Sequence, residues 1–222
     1  MPSRVLTSSV ATKILVGLTG LALVVYLVIH VVGNLLVFMG PEFFNTYAHT
    51  LESNPLIPII EVGLLLIFLV HVYKTIGIVL RNRRARPVAY AEKSMAGKPS
   101  RKTLASSTMI LSGLWLLAFL ALHVQAFRYG PEYDWPGGGR DLYRLEMENF
   151  ANPFVVGFYV LSMLVVGAHL SHGISSAFQS LGIDHPAWTP RLIMAGKVFA
   201  GLVTVAFIFI ALWAHFIGGV QV

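Results

Sequence analysis

PFVVGFYVLSMLVVGAHLSHGISSAFQ, residues 153–179, contains no Asp, Glu, Lys or Arg. A bilayer core of roughly 30 Å needs about 20 helical residues to cross it, and this stretch exceeds that length. Backbone N–H and C=O groups in lipid must be bonded within the segment, so the stretch is a helix and not a strand. Asn152-Pro153 opens it, at the position where a proline disrupts a helix least. Two histidines, His169 and His172, lie inside it. An ionisable side chain in a membrane span is costly and is a functional candidate for that reason.

Four more stretches of the same kind flank it, at about 12–39, 57–80, 104–127 and 191–217. Pro55 and Pro58 punctuate the start of the second, and Thr189-Pro190 opens the fifth. The whole chain of 222 residues is 56% hydrophobic and 12% charged, with a mean hydropathy of +0.72, a membrane composition. The expected fold is an all-α integral membrane protein: one domain over 1–222, built as a five-helix transmembrane bundle. The longest connection, 128–152, carries Pro136 and three successive glycines and has room for a short amphipathic helix around Leu142–Phe150. Arg4 and Lys13 before an apolar stretch loosely resemble a signal peptide. That stretch is too long for a signal and no small-residue cleavage site follows, so it reads as a retained first span.

The charge of +6 and pI near 9.7 are not those of a nucleic-acid binder, because half of the cations cluster in one connection beside the apolar stretches. Arg81, Arg83, Arg84, Arg86, Lys93, Lys98, Arg101 and Lys102 fall between the second and third stretches, against Glu92 alone. The 40–56 connection holds Glu42 and Glu52 and no Lys or Arg. By the positive-inside rule the N-terminus is cytoplasmic and the C-terminus outside. A basic loop beside a membrane also attracts anionic lipid.

His30, His71, His123 and His169 stand on four different spans. Counting about 1.5 Å of rise per residue, His30 lies roughly 25 Å and His123 roughly 31 Å from the cytoplasmic edge. By the same count His71 lies roughly 15 Å and His169 at most roughly 22 Å from it. The four sort into an outer layer on the first and third spans and an inner layer on the second and fourth. Opposed imidazoles on neighbouring helices are what two stacked bis-histidine haems require. The chain has no cysteine, which removes thiolate ligation, iron–sulfur clusters within this chain and covalent haem attachment. Gly33, Gly77 and Gly173 follow three of these histidines closely; each could let a porphyrin approach or simply mediate helix packing. A lone span histidine is explained as well by an interhelical hydrogen bond. His215 has no partner at its depth and reads as interfacial, and His49 and His185 read as solvated loop residues.

Several short pieces now combine: Ser9-Val10-Ala11-Thr12-Lys13 leading to Leu18-Thr19-Gly20, His30-Val31-Val32-Gly33-Asn34, and Phe44-Asn45-Thr46-Tyr47-Ala48-His49. Leu69-Val70-His71 and Ala168-His169-Leu170-Ser171-His172-Gly173 complete the set. In this order and spacing the chain resembles the cytochrome b membrane-anchor subunit of succinate dehydrogenase and fumarate reductase, in the single-subunit, five-helix, di-haem form. The resemblance implies two b haems, a quinone site used with menaquinone, and docking to a flavoprotein subunit and an iron–sulfur subunit. It implies a bacterial inner-membrane location, His71 and His169 on the haem nearer those subunits, and His30 and His123 on the far one. It implies that the anchor itself does not act on the dicarboxylate, and it is compatible with a homo-oligomer of the complex.

Depth alone favours His172 over His169 as the inner ligand, being nearer the level of His71; the resemblance favours His169. His172 is then expected at a propionate or at the macrocycle edge. Lys74, three residues from His71, shares its helix face and suits a propionate or snorkels to the interface. Arg128 stands in the same relation to His123. Glu61, one turn inside the outer end of the second span, suits proton exchange with quinone, or is an acid favoured by the helix N-terminus. The alternatives are the di-haem anchor of another respiratory complex, a hydrogenase or a nitrate reductase, and a haem-free transporter or structural anchor.

Overall fold

The computed structural model describes residues 8–85 and 104–218. Of the basic connection, Arg86, Lys93, Lys98, Arg101 and Lys102 lie outside the described residues, as does Arg4. The chain runs as α1 (Ser9–Asn34), a 3-10 turn (Leu35–Met39), α2 (Pro41–Glu52), α3 (Ile57–Ala85), α4 (Leu104–Ser107), α5 (Met109–Phe127), α6 (Leu142–Ala151), α7 (Pro153–Ser180) and α8 (Thr189–Phe216). No strand occurs among the described residues. Five of these elements are long and apolar enough to cross a membrane: α1 with its 3-10 extension, α3, α5, α7 and α8. The protein is a multi-pass, all-helical membrane protein.

Local chemistry sets the element ends. The Ser8 side chain accepts a hydrogen bond from Ala11 N at 3.1 Å, so α1 starts three residues before the expected 12. The third span is broken at Thr108, whose hydroxyl donates to Leu104 O at 3.0 Å; such back-bonding bends helices. Asn152 caps α7 by accepting from Phe154 N at 2.9 Å, with Pro153 in the first turn. The amphipathic helix expected around Leu142–Phe150 is α6, capped by Asp141. Helix α2 occupies what reads in the sequence as a plain connection. Gly40, at φ 91°, turns the chain and Pro41 starts the helix.

Helices α2 and α6 lie across one end of the bundle, here termed the cap end. Asn45, fully buried, clamps them: its side chain donates to Asp141 Oδ1 at 2.7 Å and accepts from Tyr143 N at 2.9 Å. On the outer surface of α6, Arg144 pairs with Glu148 at 2.7 Å. The Tyr133 hydroxyl and the Arg144 guanidinium together hold the Glu148 carboxyl below the usual carboxylate range.

The core also sits at the cap end, where Tyr143, Met147 and Phe150 of α6 meet Tyr159 of α7 and Ile210 and Ala214 of α8. Away from it, α7 and α8 approach closely over small residues. Gly167 faces Thr204, and a Cβ on Gly196 would stand 3.3 Å from Ile174. Helices α3 and α5 differ: neither buries a single residue. The two helices that carry His71 and His123 thus stand at the border of the bundle, α3 against α1 and α5 against α7.

Candidate functional site

At the cap-end level, His30 of α1 and His123 of α5 face one another with ring centroids 5.8 Å apart, edge to face. Aromatic rings frame the pair. Tyr26 stacks on His30 at 5.6 Å from one turn below, and Phe207 of α8 stands 5.8 Å away. Phe119 and Phe127, one turn either side of His123, lie 5.6 and 5.1 Å from it. The Tyr159 hydroxyl is hydrogen-bonded to His123 Nδ1 at 3.1 Å. Asn34 donates to His30 O at 2.7 Å, tying the turn that carries the histidine.

Nearer the other end, His169 of α7 lies within electrostatic range of both His71 of α3 and His172. Here hydroxyls meet the histidines. Thr19 Oγ1 donates its one hydrogen to Leu15 O at 2.8 Å, and it also stands 3.2 Å from His71 Nδ1. In the tautomer that carries its proton on Nδ1, His71 donates to this hydroxyl and keeps a lone pair on Nε2. Ser112 repeats the arrangement, donating to Met109 O at 3.0 Å and standing 3.0 Å from His169 Nδ1. Glycines admit both rings. A Cβ on Gly20 would stand 3.2 Å from His71 Cε1, and one on Gly113 3.8 Å from His169 Cε1.

These features fit an iron porphyrin. No group of three or more His, Asp or Glu able to hold a metal occurs among the described residues. Two imidazoles per level suit a metal that brings four equatorial ligands with it. A ligating histidine commonly commits its other ring nitrogen to a second group, as His71, His123 and His169 do with Thr19, Tyr159 and Ser112. Thr75, one turn from His71 on the same face, has a buried hydroxyl oxygen with no hydrogen-bond partner.

The other residues expected from the sequence divide. Arg128 Nε stands 3.7 Å from Glu61 Oε1, each side chain about half exposed. The two line a cavity of about 180 Å³ with Glu52 and Arg140, while Tyr26 lies within electrostatic range of Glu61 and Tyr47. Lys74 extends over the neighbouring Tyr73 ring at 5.8 Å. Gly33 faces Tyr47, whose hydroxyl would be 2.8 Å from an added Cβ, whereas Gly77 and Gly173 meet nothing within 4 Å. His172 is half-buried on α7, and its carbonyl accepts from Ser175 at 3.0 Å. His215, expected to be interfacial and without a histidine partner at its depth, is hydrogen-bonded through Nδ1 to Phe150 O at 2.7 Å, fastening α8 to α6. His49 is exposed but helical, on α2 against Gly139. His185 is an exposed loop residue, as expected.

Thr19, Ser112 and Tyr159 go unnoticed in the sequence as partners of the histidines. The available signal is that each is a hydroxyl inside an apolar span, where an unpaired polar group is disfavoured. Gly20 and Gly113 escape because they stand on a different helix from the histidine each one admits.

No protein-family model and no solved structure matches the chain. It is similar to the succinate dehydrogenase cytochrome b558 subunit of Bacillus subtilis (strain 168), at 25% identity over 193 residues, covering 86% of this chain and 88% of that one. Similarity over nearly the full length of both chains supports the cytochrome b membrane-anchor family.

Proposed function

We propose that the protein is the cytochrome b anchor of a succinate:quinone oxidoreductase, a subunit that holds two b haems and passes electrons between an iron–sulfur subunit and membrane menaquinone. His30 and His123 would hold the cap-end haem, and His71 and His169 the other. Bound haem iron supplies one-electron chemistry, and with imidazole on both faces it offers no open position for oxygen or substrate. The observation that carries this reading is that imidazoles from different helices come together at two levels, His30 with His123 at 5.8 Å between ring centroids and His71 within electrostatic range of His169.

The residues around each pair have assignable work. Thr19 and Ser112 orient their histidines and hold the tautomer, which raises ligand basicity. Lys74 and His172 serve the propionates or macrocycle edge at the His71–His169 level, with Gly173 leaving room beside them. The face of Gly33 is filled by Tyr47 and leaves no such room at the cap-end level, where Arg128, when released from Glu61, serves a propionate. At the cap end Glu61 exchanges protons with quinone, in a setting that already holds Tyr26, Arg128 and a small cavity.

The cytoplasmic side is the end away from the cap, where Arg81, Arg83 and Arg84 close α3. A flavoprotein and the iron–sulfur subunit dock there, and electrons move from the His71–His169 level to the cap end. The location is a bacterial cytoplasmic membrane, with anionic lipid against the basic end.

Reduction by succinate tests the reading. In the purified complex, succinate is expected to reduce a b-type absorption spectrum belonging to this chain. A b-type spectrum that dithionite reduces and succinate leaves untouched would instead indicate the anchor of another respiratory complex, and no haem spectrum at all a haem-free anchor. Glu61→Gln is expected to slow quinone turnover while leaving haem content, and succinate oxidation by a soluble dye, unchanged.

A further inference from the structure

The cap helix α6 carries an acid where its exposed face would be the ordinary place for one. Glu146 is only 4% exposed, between Leu145 and Met147, each at 2%. Neither ion pair of the cap region reaches it: Arg144 is taken by Glu148 and Arg128 by Glu61. Among the described residues its carboxyl has no hydrogen-bond partner. A charged carboxylate so placed would carry a large desolvation penalty with nothing to offset it. Burial alone pushes this carboxyl up to about 8, so it holds a proton at neutral pH.

Its neighbours give the placement meaning. Tyr143 and Phe150, at three and four residues' distance, share the face of Glu146. Phe150 packs edge-on against Tyr159 at 5.0 Å, and both Tyr143 and Tyr159 lie within electrostatic range of the Glu146 carboxyl. Tyr159 in turn is bonded to His123 Nδ1 at 3.1 Å. A protonatable acid therefore stands one residue removed from the cap-end histidine pair. The other elements packed on α6 bring few titratable groups: His215 from α8, held on Phe150 O, and His123 itself from α5. The α2 helix presents the neutral Asn45, with His49 further along against Gly139.

We propose that Glu146 is a proton-holding group of the His30–His123 centre, keeping its proton while that centre is reduced and releasing it when the electron leaves. This rests on the reading of His30 and His123 as ligands of a redox-active iron. The balance is one for one: an electron passes from the centre to a quinone as the Glu146 O–H bond breaks and its proton leaves through the cap. Re-reduction from the iron–sulfur side returns one electron, and one proton returns to the carboxylate. Removing positive charge from the centre makes the neutral acid more favourable, and restoring it makes the carboxylate more favourable. Tyr159, bonded to His123 and within electrostatic range of Glu146, relays the change as a dipole.

The test is a spectroelectrochemical titration of the full chain, in its complex, from about pH 6 to pH 9. The centre missing from His123→Ala is the one to follow. In the wild type its potential is expected to fall with rising pH, approaching a tenfold change in equilibrium constant per pH unit, about 59 mV for one electron. Glu146→Gln is expected to flatten that slope with haem content unchanged, and Glu146→Asp to restore most of it. A wild-type potential independent of pH would overturn the proposal with no variant needed. So would a Glu146→Gln protein of normal haem content with the wild-type slope. A wild type with no haem at the His30–His123 level would remove the reading of that pair, and this inference with it.

Discussion

His169 and His172 are three residues apart on α7, and the hydroxyl on Ser112 distinguishes them. It bonds His169 Nδ1 at 3.0 Å, whereas the ring of His172 has no comparable partner among the described residues. His169→Ala is expected to abolish one b-haem component of the optical spectrum, and His172→Ala to keep it with a shifted potential. Loss of that component from His172→Ala alone would exchange the two roles. His30→Ala and His123→Ala should each remove the other component and spare this one. The four ligand candidates were legible in the sequence because histidine is conspicuous in an apolar span. Their partners were not. Thr19 is 52 residues from His71 and Ser112 is 57 from His169, and only the packing of helices brings such pairs together.

At the scale of elements, the cap depends on one polar side chain more than on its apolar contacts. Asn45 bonds Asp141 and the Tyr143 backbone N–H in the first turn of α6 at once, from a position with no exposure. Replacing it leaves the buried Tyr143 N–H unpaired, at a cost of about 1–3 kcal/mol, and takes from Asp141 one of its two donors, Arg144 N remaining. Asn45→Ala is thus expected to lower the thermal unfolding midpoint in detergent by several degrees and to make the cap-end haem easier to extract. An unchanged midpoint would show that α2 and α6 are held otherwise. Helix α6 was legible as an amphipathic segment after a Pro-Gly stretch. Helix α2 was not, because its Gly40-Pro41 start reads equally well as a turn. Its burial of Phe44 and Ala48 depends on α6, which lies about a hundred residues away in sequence. The break at Thr108 went unread for a different reason, since a threonine hydroxyl returning to Leu104 O leaves no mark in the hydropathy of the span.

Over the whole molecule, five apolar stretches were enough to give five spans, because lipid leaves the backbone no alternative to the helix. Composition could not say how tightly they pack. The close α7–α8 contact follows from where small residues meet, and the histidines of α3 and α5 turn toward α1 and α7, His71 against Thr19 and Gly20 and His123 against His30 and Tyr159. Two imidazole pairs at two levels of one bundle are the central claim. The measurement that bears on it most directly is haem stoichiometry and spin state in the purified full-length chain, by pyridine haemochrome assay and low-temperature electron paramagnetic resonance. Two b haems per chain, both low spin, are expected. One haem or none on well-folded protein, or a high-spin signal from an iron with an open axial position, would contradict it.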